Sequence, residues 1–227
     1  LSESIRRIGF PAYSKIQDNL PTLRWAALRT VEMSLCLTLP LAVALAVLAP
    51  QLVATVFGEQ WLPAVPVVQM LAFASVVRVM AAAVGTPFMG LGKPRVATMA
   101  TTLGLVSMAA LLWPLTRTLG LVGTSATVLV GDCVSMAYLS RRWQTDMGVG
   151  LEHFLRALAP GVALGLMVLA ASLAGHLALS GDGILPLVSS LALSGLAYLV
   201  GCVTLWKVTG MGPLQVLSAL RLSRAGR

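Results

Sequence analysis

Residues 61–95, WLPAVPVVQMLAFASVVRVMAAAVGTPFMGLGKPR, decide how this chain is read. Their apolar part is long enough to cross a bilayer, which takes about 20 residues of helix. Yet Arg78 stands near the middle of it. A guanidinium stays charged inside a protein, and placing one at mid-membrane costs roughly 2.5 kcal/mol or more. At about 100° per residue, Ala74, Ser75, Ala81, Ala82 and Gly85 share the face of Arg78. Phe73, Val76, Met80 and Val84 lie opposite. The small face leaves room around the charge, so Arg78 has to meet a polar cavity, a partner charge or a ligand. The Gly85-Thr86-Pro87 step is expected to break the helix beside that room, because proline removes a backbone donor.

The rest of the composition agrees with a membrane setting. Of 227 residues, 57% are hydrophobic and 11% charged, with mean hydropathy +0.87. A soluble domain carries about 25% charged residues. The fold class expected is all-α: a polytopic transmembrane helical bundle of about six spans, preceded by the end of another helix. The chain begins at Leu1 with neither Met nor a signal region, and reads as a fragment lacking an N-terminal part. A net charge of +8 would suit nucleic acid, but the basic residues lie between apolar spans, so no nucleic-acid partner is expected.

Outward from Arg78, the expected spans are about 26–49, 65–91, 96–115, 121–139, 154–173 and 184–206. Pro40 is positioned to bend the first span and Pro50 to end it. Between the first two, Glu59, Trp61 and two prolines read as an interfacial excursion. The TRTLGLVG stretch turns the third span into the fourth, and SGDG at 180–183 precedes the sixth. Organisation is expected as the end of a preceding helix and a loop (1–20), a four-span core (21–143), a terminal hairpin (144–207) and a basic tail (208–227). The tail is either an amphipathic membrane-surface segment or a solvated end.

Six spans put fourteen of the sixteen basic residues on one side, Arg117 alone on the other, and Arg78 within the membrane. The positive-inside rule then makes the fourteen cytoplasmic, along with both ends of the chain.

No catalytic constellation, cofactor loop or metal set is present in the sequence. His153 and His176 fall on opposite sides of the membrane. Cys36, Cys133 and Cys202 lie in apolar segments and read as small buried hydrophobes. The Gly161-x-x-x-Gly165 pair signals close helix packing. Two acidic residues join Arg78 as candidates. Asp132, with Ser125 and Ser135 on about the same face, suits either ion coupling and pairing with Arg78 or a structural hydrogen-bonded role. Glu32 lies three residues after Arg29, where a local pair accounts for it; ion coupling is its other reading.

The run FPAYSK at Phe10 to Lys15, then LTLPLAVALAVLAPQLVATVFGEQWLPAVPVVQMLA, the Arg78 helix, MGLGKPR, and a span after GLVG ending at SRR follow a recognisable order. It resembles the C-terminal half of the Wzx-type polysaccharide flippases, within the multidrug/oligosaccharidyl-lipid/polysaccharide exporter superfamily, over nearly all of residues 1–213. The resemblance implies a second helical lobe plus a terminal helix pair, set against an N-terminal lobe around a cationic cavity. It implies a non-enzymatic carrier of the bacterial inner membrane. Such a carrier moves undecaprenyl-pyrophosphate-linked oligosaccharide to the periplasmic leaflet by alternating access, for surface polysaccharide biosynthesis. Arg78 would contact the pyrophosphate. Membrane lipids and a polysaccharide polymerase or export machinery would be partners. A lipid II flippase and a multidrug exporter are the rivals within the superfamily. From other classes, a membrane-embedded glycosyltransferase or ligase and a non-transporting assembly partner remain open.

Overall fold

The computed structural model describes residue 13, residues 19–178 and residues 184–209. The expectations for the rest of 1–20, for the 180–183 loop and for the tail beyond 209 lie outside the described residues. The described chain is all-α. It contains α1 (Leu20–Val56), a short 3-10 turn (Glu59–Ala64), α2 (Val65–Gly90), a long helical stretch (Pro94–Arg142), α5 (Leu151–Ala178) and α6 (Ile184–Thr209). Five stretches are long and apolar enough to span a bilayer. One of them is folded back on itself at Gly120.

Gly120 is the whole turn. Its φ of 59° and ψ of −134° lie where only glycine is at ease. The stretch becomes two antiparallel arms, α3 (94–119) and α4 (121–142), each at least ~30 Å long at 1.5 Å per residue. Their pairing is read from Thr116 against Thr124 (2.9 Å) and from Ser135 Oγ donating to the Ala100 carbonyl (2.9 Å). Between these, Gly104 and Gly131 let the backbones nearly touch; a Cβ on either would meet the other's carbonyl oxygen at 2.8 Å. Among the described residues, six helices thus stand where six spans are expected, with the third turn one residue long.

Two expected interruptions are absent. Helix α1 continues through Pro40 and Pro50 to Val56. Pro50 has no N–H for the Ala46 carbonyl four residues back. Gln69 Nε2, from the neighbouring α2, donates to that carbonyl instead (2.9 Å), so the helix loses no partner there. Likewise α2 is unbroken across Gly85 and Pro87. Thr86 Oγ1 returns to the Ala82 carbonyl (2.6 Å). Pro87 lies in the last turn, where little ladder remains to be lost. The chain breaks instead at Gly92, with φ of +69°, between Leu91 and Lys93.

The core lies where α1, α2 and the C-terminal part of α4 meet. It gathers Leu23, Ala27, Val31 and Leu35 with Val76, Val84, Phe88, Leu139 and Trp143. Tyr13 joins it. Its hydroxyl donates to Thr30 Oγ1 (2.6 Å), since Thr30 itself donates to the Ala26 carbonyl. Helix α5 lies against α1 with Gly161 over Leu35 and Gly165 over Leu39, the close packing that small residues permit. Helix α6 packs on α5 through Ser172 and Ser194 (2.8 Å). The cysteines depart from expectation: none is buried, and Cys133 is exposed, on a face of α4 that no described helix covers. Trp61, on the 3-10 turn, is also exposed.

Candidate functional site

Helix α2 delivers Arg78 at mid-length, and the α3–α4 hairpin delivers Asp132 opposite. Arg78 Nη2 donates to Asp132 Oδ2 at 3.1 Å, and Nε faces Oδ1 at 3.4 Å. The guanidinium is 57% exposed and the carboxylate 18%. Both line a cavity of about 260 Å³ between α2, α3 and α4. Its walls are small where helices are close: Ala81, Ala82 and Gly85 from α2, Ala97, Ala100 and Gly104 from α3, Gly131 from α4. Ala74 is buried away from it, and Ser75 donates to the Ala72 carbonyl. Small side chains facing one another explain the space: methyl groups and hydrogens cannot fill what longer side chains would.

The remaining polar groups around the cavity are hydroxyls already engaged. Ser135 bonds the Ala100 and Gly131 carbonyls. Ser125, outside the cavity lining, is buried and bonds the Val122 carbonyl and Met70 sulfur. Glu32 is elsewhere: on α1, held by Arg29 Nη1 at 2.7 Å, and outside the cavity lining. Of Gly85 and Pro87, Gly85 lines the cavity and Pro87 does not. His153 and His176 begin and end the same helix, α5, roughly 35 Å apart at 1.5 Å per residue. No cluster of three metal-ligating side chains occurs among the described residues.

Below the cavity, a network ties the hairpin down. Lys93, in the turn after α2, donates to Asp146 (3.1 Å), which also receives Arg142 (3.3 Å). The Lys93 hydrogen bond foremost holds the Asp146 carboxyl below its usual range, with Thr145, Lys93's charge and Arg142 adding to it against partial desolvation. Trp143 is 2% exposed and its Nε1 donates at 2.7 Å to the carbonyl of Val84, the residue before Gly85 of the cavity wall.

Sequence reasoning did not find Gln69 or Trp143. A glutamine within an apolar span, beside a helix containing an internal proline, is a signal that was available. A tryptophan after two arginines reads as an interface residue, and nothing local marks it as buried.

With this geometry in hand, comparisons with known proteins are informative. Residues 1–66 match the model of a family described as polysaccharide biosynthesis protein. The chain is 29% identical over 135 residues, 60% of its length, to an uncharacterized membrane protein in the cps region of Klebsiella pneumoniae. It is 33% identical over 87 residues to the lipopolysaccharide biosynthesis protein WzxC of Escherichia coli, and 28% identical over 89 residues to the teichuronic acid biosynthesis protein TuaB of Bacillus subtilis. These alignments cover 38% and 39% of this chain. They span 28%, 17% and 18% of the three relatives' own lengths in turn. In fold, the chain is similar to the lipid II flippase MurJ in an inward closed conformation. The TM-score is 0.68 at 12% identity, over 88% of this chain and 42% of that one. The chain is a multi-pass membrane protein, and its resemblance to the Wzx-type polysaccharide flippases is borne out in sequence by polysaccharide-biosynthesis relatives and in fold by a lipid flippase.

Proposed function

We propose that this chain forms the second lobe of a carrier that flips undecaprenyl-pyrophosphate-linked oligosaccharide across the bacterial inner membrane for surface polysaccharide biosynthesis. One observation carries this reading: a half-exposed guanidinium at mid-span, opening on a small-walled cavity, with a single carboxylate beside it. Arginine presents paired donors that match phosphate oxygens, so Arg78 is the pyrophosphate contact. The other lobe of the same protein closes the cavity, and the lobes rock about this seat in alternating access. Asp132 is the partner of Arg78 in the resting seat. Glu32, held by Arg29, keeps a role in ion coupling only if that local pair opens.

The charge distribution supports an orientation with both ends cytoplasmic. A polysaccharide polymerase or export machinery is the natural recipient of the product. The guanidinium, more exposed than the carboxylate beside it, disfavours a multidrug exporter of cationic compounds. Lipid II shares the pyrophosphate and remains the second reading within the same chemistry.

The test is Arg78→Ala and Arg78→Lys in the intact protein at matched membrane abundance. Surface polysaccharide and accumulated lipid-linked precursor are the readouts. Loss of export with Ala and partial return with Lys is expected. Normal export by both variants would falsify the anion seat.

A further inference from the structure

Asp132 meets Arg78 along one edge only, the edge formed by Nε and Nη2. A guanidinium carries five N–H donors in a rigid fork. With its side edge turned to Asp132, the two terminal nitrogens still present an end-on fork, and Nη1 has no hydrogen-bond partner among the described residues. The exposures agree: the carboxylate is set back and the guanidinium reaches outward. Among the described residues lining the cavity, only these two are charged. The hydroxyls of Thr86, Thr101 and Ser135 already donate to the Ala82, Ala97 and Ala100 carbonyls. No other lining group therefore offsets either charge. The seat holds one positive and one negative charge, with a donor pair left open.

We propose that Asp132 is the release charge of the Arg78 seat, an inference that rests on reading Arg78 as the pyrophosphate contact. The carboxylate fixes the guanidinium plane so that its end-on fork faces the open side. It also stands behind that fork as a like charge to any arriving anion. Pyrophosphate is drawn in by the donors and held back by the carboxylate, so the seat binds and also lets go. A transport site needs both, since cargo bound too tightly does not leave. In a cavity of reduced dielectric, a carboxylate several ångströms from the anion shifts its affinity by about tenfold or more.

Asp132→Asn keeps the shape and an acceptor for Arg78 while removing the repulsion. Inorganic pyrophosphate is titrated calorimetrically onto the protein in lipid nanodiscs, and flipping of a pyrophosphate-linked lipid is timed in proteoliposomes. The expected result is pyrophosphate binding about tenfold tighter with slower flipping, while Asp132→Glu, which keeps the charge, shows no such tightening. Affinity that is unchanged or weaker in Asp132→Asn, with Arg78→Ala still abolishing binding, overturns the release role and leaves the seat intact. Wild-type binding by Arg78→Ala removes the seat and the release role together. Should Asp132→Asn not reach the membrane, Asp132→Ser, also neutral, makes the same comparison.

Discussion

Two aspartates sit fourteen residues apart along one helical stretch, and they are built oppositely. Asp146, past the end of α4, is saturated: Lys93 and Arg142 reach one oxygen and Thr145 the other. Asp132, within the membrane, has only the side edge of Arg78, at 3.1 and 3.4 Å, and there the cation keeps free donors. In the first case the carboxylate is the hub and its cations are attached to it. In the second the cation is the hub, and the carboxylate meets one edge of it. The difference separates a fastening from the seat proposed at Arg78. Unused hydrogen-bonding capacity within a membrane span is costly unless something comes to use it.

Variants that break this comparison differ widely in expected size. Arg78→Ala should lower export on the order of a hundredfold, the loss typical of a desolvated charged contact, without lowering membrane abundance. The Trp143 anchor belongs to the fastening. Trp143→Ala opens the core at its junction with the cavity wall and should cost roughly 3–5 kcal/mol. It should be seen as a fall in thermal midpoint in detergent, with export lost only in proportion to folded protein. Trp143→Phe, which loses the bond to the Val84 carbonyl, should cost roughly 1–3 kcal/mol.

Gln69→Leu sharpens the contrast from another side. It leaves the Ala46 carbonyl opposite Pro50 without a donor, at roughly 1–2 kcal/mol, and should loosen α1 near Pro50 in hydrogen exchange. An unchanged exchange pattern would mean that the proline needs no support.

Smallest is the effect of Asp146→Asn. The Asp146 carboxyl is held below its ordinary value, so its contribution is complete above the unfolded value of about 3.9. It is lost only as pH falls through the lower folded value. The difference in thermal midpoint between wild type and Asp146→Asn should be small, because the bridging Lys93 is largely solvated. It should stay constant around neutrality and vanish only below about pH 4. A difference that fades near pH 6 would place the titration on another group.

Much of this was legible in residue order. Hydropathy located the spans because a bilayer core demands about 20 apolar residues per helix whatever those helices touch. Arg78 stood out for the same reason, as a charge where none is tolerated without a use. The expected breaks at Pro50 and at Gly85–Pro87 did not occur, because a proline's effect depends on what meets the freed carbonyl and on how much helix follows. Gln69 answers the first by tertiary contact, and the nearby helix end answers the second. Cys133 was expected inside and lies outside, since a membrane helix is apolar on every face and hydropathy cannot tell lipid from protein.

The sequence by itself determined that this is a membrane-spanning helical bundle, about where its apolar helices lie, and that Arg78 must meet a polar cavity, a partner charge or a ligand. Those follow from transfer energies, which each residue carries with it. Only the tertiary structure decided that Gly120 alone turns the hairpin and that Asp132 takes one edge of the guanidinium. It also decided that Trp143 is buried with its indole N–H on the Val84 carbonyl. The last two depend on which groups come within about 3 Å once the helices pack, and residues fifty or more positions apart meet only then.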